Sequence, residues 1–591
     1  NQTGGDIMTT GVTGDNAGLR LGHWPNSDIT YNMSGGTLTI GNNREFSTAV
    51  DGTGRFHQTG GEATARTVNV NSRNNANGNG TFKVEGGRFN IGAGGIIKGT
   101  AANGNNVPAT AYEVEIGGLG GTLAATANWS SSLDMTLFGA GTAGATFDTN
   151  GNNINLSGAL TGAGDLNKVG DGTLTLTGNS NFGALRVYRA PGAGQTSTVS
   201  LEGAGSTTVG FVGVGDPNNV GGLAGDAVLN VQDSHNLQVN GNLFLGEQAG
   251  NPGTLTQSGG TIGVTGQIRV GHWPNETSTY DMTGGTLNSD GGLYVGWDGM
   301  GDMDVTGNAM VNATAGTYVQ RNSTLTVGGN AQFTSNFIGL GHDRGPGFME
   351  IQDSSTVNVT GTFSIGDRNG QSGNVQQTGG DVIVGGEMRL GHWPNETSIY
   401  NMTSGTLSVG NTLSVGWDGM GDMDVTGNAV VNANGGTQIQ RNSNLTIGGN
   451  AQFNTSVLRV GETRGTGTMD VMGNADVNVS GTALVQNNST LTIGDNSTFD
   501  ANFFSIGDQL GAGNVVQTGG TVNITGGNGV RVGHWPAGAG SSYDMSGGTL
   551  NTTTLAVGWD GGNNTMDVTG NADVNVSGTA LVQNNSTLSI G

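Results

Sequence analysis

The residues best suited to chemistry in this chain are histidines and tryptophans in two repeated motifs. Gly-His-Trp-Pro occurs at residues 22–25, 271–274, 391–394 and 533–536, and Val-Gly-Trp-Asp-Gly follows the last three copies at residues 295–299, 415–419 and 557–561. In those copies a histidine and a tryptophan are 25 residues apart: His272 and Trp297, His392 and Trp417, and His534 and Trp559. If one structural repeat has about that length, we expect each pair at one corner of adjacent coils, with the rings stacked about 4.8 Å apart.

These aromatic corners have three interpretations that the sequence leaves open. In the first they are structural, because Trp-Pro fixes the path of the chain and the rings seal the core. In the second they form an exposed platform for sugar rings, and in the third they form a contact surface for a neighbouring fibre. On the second interpretation the ligand-binding residues are His272, Trp273, Trp297, His392, Trp393, Trp417, His534, Trp535 and Trp559.

A second repeated group consists of acidic residues that follow the Val-Gly-Trp motif. Its members are Asp298, Asp302 and Asp304 in one copy and Asp418, Asp422 and Asp424 in the next. The last two acids of each copy alternate with apolar residues, which places them on one face of a strand. Carboxylate oxygens suit Ca²⁺, so calcium is one interpretation, although the spacing does not match an EF-hand loop. We favour solvated, outward-facing acids and predict no metal site and no cofactor.

No constellation suited to catalysis is recognisable in the sequence. Chemistry usually needs one site, whereas the unusual residues here are copied along the chain. The isolated histidines His57, His235 and His342 lie in no recognisable nucleophile or acid–base arrangement. We therefore predict that the protein is not an enzyme.

The elements that must position these residues are short segments repeated about every 25 residues. Small apolar residues form a ladder with steps of 21–26 residues: Leu245, Val270, Val295, Val319, Leu340, Ile365, Leu390, Val415, Ile439, Val460, Val485, Ile506, Val532, Val557 and Val582. We extend this row to Leu21, Phe46 and Val70 near the N-terminus. A near-constant step over this length is the signature of a solenoid.

Each step of the ladder has room for three strands and three corners. Apolar and polar residues alternate in segments such as 279–282 and 573–576, and no sustained helical period occurs. Between such segments lie Gly285 and the pair Asn487-Asn488, residue types that accept positive φ at corners. The sequence therefore predicts an all-β, right-handed parallel β-helix, or β-solenoid, of roughly 24 coils in a single elongated body.

The motifs divide the predicted solenoid into five regions. Residues 1–100 form degenerate N-terminal coils, and residues 101–253 form an irregular region with loops, one of them at residues 103–108. Residues 254–373 form a first repeat unit of five coils. Residues 374–513 form a second unit of six coils, in which the added coil is roughly residues 461–485. Residues 514–591 begin a third unit.

Composition limits the class of partner. The 591 residues include 44 acidic and 20 basic ones, and the net charge of −24 argues against nucleic acid or an anionic membrane as partner. Cysteine is absent, so neither disulfides nor thiol chemistry contribute. No apolar run approaches the roughly 18 residues of a membrane span. The low lysine content and the bias towards Thr, Asn, Gly and Ser resemble those of secreted bacterial surface proteins.

One stretch of the chain resembles a known repeat. Residues 160–183 read LTGAGDLNKVGDGTLTLTGNSNFG, a run of Gly-x-Gly-x-Leu-x-Lys-x-Gly-x-Gly-x-Leu-x-Leu-x-Gly followed by an aromatic residue. This closely resembles the autotransporter-associated β-strand repeat. The resemblance implies a right-handed β-helix in a very large secreted or outer-surface bacterial protein, of the kind used in adhesion, matrix or surface layers.

Together these features predict a non-catalytic extracellular or cell-surface structural protein that is fibre-forming or adhesive. The alternative is a carbohydrate-binding or polysaccharide-degrading β-helix protein, because the tryptophans are repeated. Neither end of the sequence resembles a cap, so we expect coils to continue past at least one end, in a longer polypeptide or in stacked chains. The predicted partners are further copies of the chain, bound end to end or laterally, and cell-surface glycans, without nucleic acid or membrane insertion.

Overall fold

The computed structural model of this protein describes residues 1–9, 17–41, 44–73, 78–99, 112–215, 225–368 and 370–591. In these ranges the chain is an all-β, parallel solenoid of about 22 turns, roughly 25 residues apart, where the sequence predicts 24. The helices in the described ranges are two short 3-10 segments, Gly141–Ala143 and Pro536–Gly538, and no helix there is long and apolar enough to cross a membrane. The loop predicted at residues 103–108 lies outside the described residues.

Two compact units divide the chain. The first contains Asn1–Gly291 and Asp298–Asp302, and the second contains Gly292–Trp297 and Met303–Gly591. The strands of the first unit are Gln2–Thr9, Ala17–Arg20, Asp28–Ile40, Glu45–Ser47, Thr53–Gln58, Glu62–Asn69, Asn79–Val84, Arg88–Ile97, Tyr112–Gly117, Thr122–Ala125, Trp129–Ser131, Met135–Phe138, Ala145–Asp148, Ile154–Leu156, Leu160–Thr161, Leu166–Val169, Gly172–Leu176, Ser180–Val187, Thr196–Leu201, Ser206–Val214, Asp226–Val231, Asn236–Val239, Leu243–Leu245, Thr254–Gln257, Thr261–Val264, Ile268–Val270, Thr277–Met282 and Thr286–Ser289.

The strands that follow along the chain are Leu293–Val295, Met300–Val305, Met310–Ala313, Thr317–Val319, Ser323–Val327, Gln332–Ser335, Ile338–Leu340, Gly347–Ile351, Thr356–Val359, Phe363–Ile365, Gly373–Gln377, Asp381–Val384, Met388–Leu390, Thr397–Met402, Thr406–Val409, Leu413–Val415, Met420–Val425, Val430–Ala433, Thr437–Ile439, Ser443–Ile447, Gln452–Thr455, Leu458–Val460, Gly467–Val471, Asp476–Val485, Ser489–Ile493, Thr498–Ile506, Gly513–Gln517, Thr521–Ile524, Val530–Val532, Ser542–Met545, Thr549–Val557, Thr565–Val568, Asp573–Val582 and Thr587–Ile590.

A complete turn of the second unit has three strands, which define three faces. In one turn Ser323–Val327 lies on face 1, Gln332–Ser335 on face 2 and Ile338–Leu340 on face 3. Each strand pairs in parallel with the strand at the same position one turn later, as Ser323–Val327 does with Gly347–Ile351. Faces 2 and 3 belong to one sheet, because strands such as Asp476–Val485 run through both.

The predicted apolar ladder is an inward row on face 3. Twelve of its members in the second unit are paired in register and fully buried: Val295, Val319, Leu340, Ile365, Leu390, Val415, Ile439, Val460, Val485, Ile506, Val532 and Val557. Val582 pairs with Val557 in the same row but is 48% exposed. In the first unit Val270 pairs with Leu245 in the same kind of row. The prediction is confirmed for these residues. Each such side chain contributes about 1.5–3 kcal/mol by leaving water.

The corners combine positive-φ residues with glycines that have no room for a side chain. Asn487 and Asn488 have φ of 56° and 57°, as the sequence predicts. Gly285 has φ of 78°, also as predicted. Gly299 of the Val-Gly-Trp-Asp-Gly motif has a different role, because a Cβ atom there would lie 2.2 Å from the carbonyl oxygen of Trp273. Close stacking of successive turns therefore requires glycine at that position.

The N-terminal turns are out of phase with the rest of the first unit. The prediction that the face 3 row continues to Leu21, Phe46 and Val70 is wrong. Phe46 pairs with Val68, and that row leads through neighbouring strands to Trp129–Ser131 and face 1. The spacing of apolar residues along the sequence cannot reveal this shift, because the inward residues of all three faces recur at about the same interval.

The shift moves the first Gly-His-Trp-Pro motif to a different corner. Trp24 leads from face 1 into Asp28–Ile40, which begins on face 2. Trp273 instead leads from Ile268–Val270 on face 3 into Thr277–Met282 on face 1. The same four residues therefore serve two geometrically distinct corners of the coil.

A buried glutamine and a buried tyrosine account for two other repeated motifs, Gln-Thr-Gly-Gly at residues 377–380 and 517–520 and Tyr-x-Met at residues 400–402 and 543–545. Gln377 of Gln-Thr-Gly-Gly is fully buried, and its Nε2 donates to the carbonyl oxygens of Gly380 at 3.0 Å and Thr406 at 3.2 Å. The Tyr400 hydroxyl, one turn later, donates to Gln377 Oε1 at 2.6 Å. Burial raises the pKa of Tyr400 well above its usual value, so the hydroxyl stays a donor. The same clamp joins Gln257 to Tyr280 and Gln517 to Tyr543.

One copy of this clamp in the first unit lacks its tyrosine. Gln58 is fully buried and donates to the carbonyl oxygens of Gly61 and Arg88, but Phe82 occupies the tyrosine position and Gln58 Oε1 has no hydrogen-bond partner among the described residues. We expect Phe82→Tyr to stabilise the protein by about 1 kcal/mol, because the new hydroxyl would donate to that oxygen. Thermal unfolding of the variant and the wild type measures the gain.

A Gln58→Leu background provides the control for this substitution. There the new hydroxyl of Phe82→Tyr meets no acceptor, so burying it should destabilise the protein by about 1–3 kcal/mol. If Phe82→Tyr changed the stability equally in the wild type and in Gln58→Leu, the new hydroxyl would gain nothing from Gln58.

The stretch that resembles the autotransporter-associated repeat also has a buried polar group. Lys168 is fully buried, and its Nζ donates to the Gly170 carbonyl oxygen at 2.8 Å and to Ser197 Oγ at 3.1 Å. Burial lowers the pKa of Lys168 to about 7. The lysine of this motif therefore binds the backbone of its own corner and the strand of the next turn.

Candidate functional site

In the second unit, the corner between faces 3 and 1 joins histidine, arginine and tryptophan side chains from adjacent turns. Arg389 Nη1 lies 2.9 Å from His392 Nε2, and the Arg389 guanidinium carbon lies 4.5 Å from the centroid of the Trp417 ring. In place of the expected stack of imidazole on indole, the guanidinium contacts both rings. A cation over an indole face is stabilised by the ring quadrupole.

The last copy of the motif has the same arrangement. Arg531 Nη1 lies 2.8 Å from His534 Nε2, and its guanidinium carbon lies 3.9 Å from the Trp559 ring centroid. Both arginines precede the histidine by three residues, in the order Arg-x-Gly-His, as Arg20 and Arg269 do in the other two copies. We call the contact of one arginine with both a histidine and a tryptophan ring the arginine bridge. The Arg-x-Gly-His spacing was its signal in the sequence, and the sequence interpretation did not use it.

The copy at residues 271–274 shows related contacts in the first unit, and the Val-Gly-Trp-Asp-Gly motif that follows it shows one in the second unit. In the first unit His272 stacks on Phe244 with ring centroids 4.0 Å apart, and Arg269 lies over the same Phe244 ring at 5.0 Å. In the second unit the Arg344 guanidinium carbon lies 4.1 Å from the Trp297 ring centroid. The corner is therefore a repeated arrangement of aromatic rings and guanidinium groups.

The Trp417 indole is contacted by a second guanidinium. Arg464 lies 4.3 Å from its ring centroid and forms an ion pair with Asp418, which also pairs with Arg441 at 3.3 Å. Burial alone would raise the pKa of Asp418, but the hydrogen bonds and positive charges of Arg464 and Arg441 outweigh burial and lower it. An indole engaged by two guanidinium groups leaves little ring surface for a sugar.

The tryptophans of Gly-His-Trp-Pro present more surface to solvent. Trp273, Trp393 and Trp535 are 46%, 39% and 42% exposed, whereas those of Val-Gly-Trp-Asp-Gly are half-buried. Each exposed ring contacts the histidine before it, as His392 does Trp393 with centroids 5.9 Å apart. Of the nine residues predicted as a ligand platform, these three offer the most accessible rings.

The corner also contains a buried glutamate that the sequence interpretation missed. Glu396 is 6% exposed and accepts a hydrogen bond from the Trp393 backbone N–H at 3.0 Å. Glu276 accepts the equivalent bond from Trp273 at 3.1 Å and a second one from Ser278 Oγ at 2.8 Å. Burial raises the pKa of each carboxyl to about 8. The repeated Trp-Pro-Asn-Glu sequence was the available signal.

The last copy has no glutamate at this position, and a buried amide of the following turn makes different hydrogen bonds at its corner. Asn564 Oδ1 accepts a hydrogen bond from the Ser541 backbone N–H at 2.9 Å, and its Nδ2 donates to the Gly561 carbonyl oxygen at 2.7 Å. Asn564 is fully buried. The corner of the last copy therefore also has a buried hydrogen-bonding side chain, but one that satisfies other backbone groups than Glu276 and Glu396 do.

We expect the double variant Glu276→Gln/Glu396→Gln to be more stable than the wild type at about pH 9 and to match it near pH 5. Burial raises each pKa from 4.5 to about 8, so folding favours the protonated form. That stability is fully present below pH 4.5 and is lost as the pH rises through 8, at up to about 1.4 kcal/mol per carboxyl and pH unit. Thermal unfolding across this pH range measures the difference.

Glu350→Gln is the matched control, because Glu350 is exposed on the strand Gly347–Ile351. Its melting temperature should follow that of the wild type at every pH. If the double variant lost as much stability at alkaline pH as the wild type does, groups other than Glu276 and Glu396 would be responsible.

A serine, a histidine and an aspartate meet beneath the corner, but not as a catalytic triad. His534 Nδ1 lies 2.9 Å from Asp508 Oδ2 and 3.1 Å from Ser505 Oγ, while its Nε2 faces Arg531. In a triad the serine and the carboxylate occupy opposite ring nitrogens, so that the imidazole can take the serine proton. Here both lie at the same nitrogen, and the arrangement cannot activate Ser505.

A related carboxylate joins one histidine of the preceding turn and one of the following turn. Asp367 Oδ2 lies 2.5 Å from His342 Nδ1, and Asp367 Oδ1 lies 3.5 Å from His392 Nδ1. Burial alone would raise the pKa of Asp367, but hydrogen bonds from His342, His392 and Ser364 outweigh it and hold the pKa at about 2. The carboxylate is therefore ionised at neutral pH and ties adjacent turns together.

The candidate calcium ligands occupy two kinds of position. Asp422 and Asp424 face outward from the face 1 strand Met420–Val425, and burial followed by the charge of Asp424 raises the pKa of Asp422. Asp418 lies at the corner and pairs with arginine. The first copy places Asp298 at the same corner and Asp302 and Asp304 on the outward side of Met300–Val305. In the described ranges no three His, Asp or Glu side chains form a group that could hold a metal ion.

The motifs are thus explained by contacts within and between turns. Comparisons with protein-family models, curated proteins and solved structures found no match to this chain. The resemblance to the autotransporter-associated repeat therefore stays a prediction from residues 160–183.

Proposed function

We propose that this chain is a non-catalytic structural protein of the bacterial cell surface or extracellular matrix, fibre-forming or adhesive. The observation that carries this proposal is the repetition of contacts. The arginine bridge of Arg389 and Arg531 and the clamp of Gln257, Gln377 and Gln517 recur from one motif copy to the next. Selection for one catalytic or signalling site would distinguish one copy from the others, whereas selection for a long, uniform body favours identical copies.

The composition and the one resemblance support an extracellular location. The low lysine content, the acidic balance and the Thr, Asn, Gly and Ser bias are typical of secreted bacterial surface proteins. The repeat at residues 160–183 resembles one found in secreted or outer-surface β-helices. The proposed partners are further copies of this chain, bound end to end or laterally.

Electron microscopy of the full chain at rising protein concentration tests the proposal. We expect fibres or lateral bundles, with a band near 59 kDa on a denaturing gel. Sedimentation at the same concentrations should show growing assemblies. A monodisperse monomer at every concentration, together with no binding to bacterial cell-surface material, would contradict the proposal.

A carbohydrate-binding protein is the second candidate, because Trp393 and Trp535 expose their rings on the same edge of the second unit. They are six turns apart, or about 28 Å at the strand spacing. A glycan array with the variant Trp273→Ala/Trp393→Ala/Trp535→Ala discriminates the two functions. Specific binding that disappears in this variant would favour the second candidate.

A further inference from the structure

An open groove follows the bend between faces 2 and 3 in the last turns of the second unit. The bend occurs inside continuous strands, such as Thr498–Ile506 and Thr549–Val557. The groove has a volume of about 1050 Å³, and a smaller cavity of about 170 Å³ extends it across the turns that contain Asn454 and Asn478. Both cavities share Asn478 and Ser480, so they form one groove that runs from turn to turn.

Two rows of polar side chains form the walls of this groove. One wall is the outward row of face 2, whose members pair in register: Asn454, Asn478, Asp500, Asn523, Asn551 and Asn575. The other wall lies just beyond the bend: Ser480, Asn502, Thr525, Thr553 and Ser577. The first wall spans five inter-turn steps, or about 24 Å.

Hydrogen bonds along the first wall fix the orientation of its amides. Asn523 Nδ2 donates to Asp500 Oδ1 at 2.8 Å, Asn551 Nδ2 to Asn523 Oδ1 at 2.8 Å, and Asn575 Nδ2 to Asn551 Oδ1 at 3.0 Å. An amide that gives one N–H and one lone pair to its neighbours keeps a second N–H and a second lone pair. The turns of Asn523 and Asn551 therefore each present one free donor and one free acceptor in the same orientation.

This pattern is suited to hydroxyl groups, because a hydroxyl both donates and accepts. Among the described residues that line the groove, Asp500 is the one that is charged, so these walls offer no cationic group to a polyanion. The backbone of the lining strands is paired with neighbouring turns, as in Asn523 with Asn551, so an extended peptide has no free sheet edge to pair with. The ligand class that fits best is an uncharged polymer with regularly spaced hydroxyls.

We propose that this groove binds an extended, neutral polysaccharide chain that lies along the stack of turns. The Asn523 and Asn551 amides hydrogen-bond the sugar hydroxyls from one wall, and Thr525 and Thr553 limit the width from the other. The site is distinct from the aromatic corner, and it is independent of whether the chain forms fibres.

Isothermal titration of the full chain with neutral β-linked oligosaccharides, cellohexaose and chitohexaose, tests this proposal. We expect affinity to rise with chain length until the sugar spans about 24 Å, and an oligogalacturonate of equal length not to bind. Asn523→Ala/Asn551→Ala should weaken binding at least tenfold by removing two oriented amides. Thr525→Phe should have a similar effect by filling the groove, and it leaves the amide row intact.

Asn514→Ala is the matched control, because Asn514 faces outward on face 1 in the same turn as Asn523. It should bind like the wild type, and thermal melts should show that every variant is folded. The proposal fails if neither neutral sugar binds, or if Asn514→Ala weakens binding as much as the groove variants do. It also fails if Trp393→Ala/Trp535→Ala abolishes binding and the groove variants do not, a result that would assign sugar binding to the aromatic corner.

Discussion

Deletion of residues 461–485, one whole turn, is expected to leave a folded solenoid whose melting temperature lies within a few degrees of the wild type. The reason is that the deletion joins Val460 to Gln486 and preserves the corner sequence. The new junction reads Val-Gln-Asn-Asn-Ser, and the preceding turn has Ile439-Gln440 followed by Arg-Asn-Ser. The inward row then continues from Val460 to Ile506 without a gap.

Deletion of residues 461–472, half as many, is expected to lower the melting temperature by more than 10 °C. It removes the face 1 strand Gly467–Val471 but keeps Asp476–Val485, so one turn has faces 2 and 3 without face 1. The strand Ser443–Ile447 then loses its partner in the next turn, although it keeps Met420–Val425 on the other side, and the chain after Leu458–Val460 cannot reach face 2 in register. Several buried side chains, each contributing about 1.5–3 kcal/mol, become exposed.

Thermal unfolding and limited proteolysis distinguish the two deletions. The half-turn deletion should be cleaved near its junction at protease levels that leave the whole-turn deletion intact. Equal stability of the two proteins would show that the turn is not the unit of length in this fold.

The sequence predicts the solenoid well because one physical requirement is repeated. An inward position between parallel strands must be apolar, so residues such as Val415 and Ile439 reveal the step directly. The phase of the N-terminal turns is not predictable in this way. Phe46 and Val270 lie on different faces, yet both occur in rows with a step near 25 residues. The turns between them differ in length, for example 22 residues from Phe46 to Val68 and 28 from Val68 to Ile96, and these lengths together set which face each motif occupies.

The contacts of the candidate site were predictable only in part. The sequence indicated that the histidine and tryptophan of successive turns share a corner, but not that Arg389 would contact both rings. Strand spacing fixes which residues are neighbours, whereas the long arginine side chain decides what fills the space between them. The buried Glu396 was missed because a glutamate beside proline and asparagine normally indicates an exposed turn.

The groove of face 2 had no motif to indicate it. Its wall residues are asparagine, serine and threonine, which are common throughout this sequence. What distinguishes Asn523 and Asn551 is their register and the bend beside them, and both follow from pairing between turns. A periodic row of amides is visible in the sequence only after the turns have been aligned.

Gln377→Leu is expected to destabilise the protein by about 3 kcal/mol, because one buried side chain serves three hydrogen bonds. The leucine leaves the Tyr400 hydroxyl without an acceptor, and it removes the donor to the carbonyl oxygens of Gly380 and Thr406. An unsatisfied buried polar group costs about 1–3 kcal/mol, which exceeds the gain from a larger apolar side chain. Urea unfolding and amide hydrogen exchange in this turn measure the loss.

The double variant Gln377→Leu/Tyr400→Phe should recover about 1–2 kcal/mol of that loss, because the hydroxyl that lacks an acceptor is no longer present. Tyr400→Phe alone should be destabilising, since it leaves Gln377 Oε1 in the state that Gln58 Oε1 already has beside Phe82. Gln376→Leu is the matched control: Gln376 is the neighbouring residue on the outward side of the same strand, and its replacement should change stability by less than about 0.5 kcal/mol. Additive effects of Gln377→Leu and Tyr400→Phe would show that the two side chains are not coupled, and the clamp would then not explain why both motifs recur.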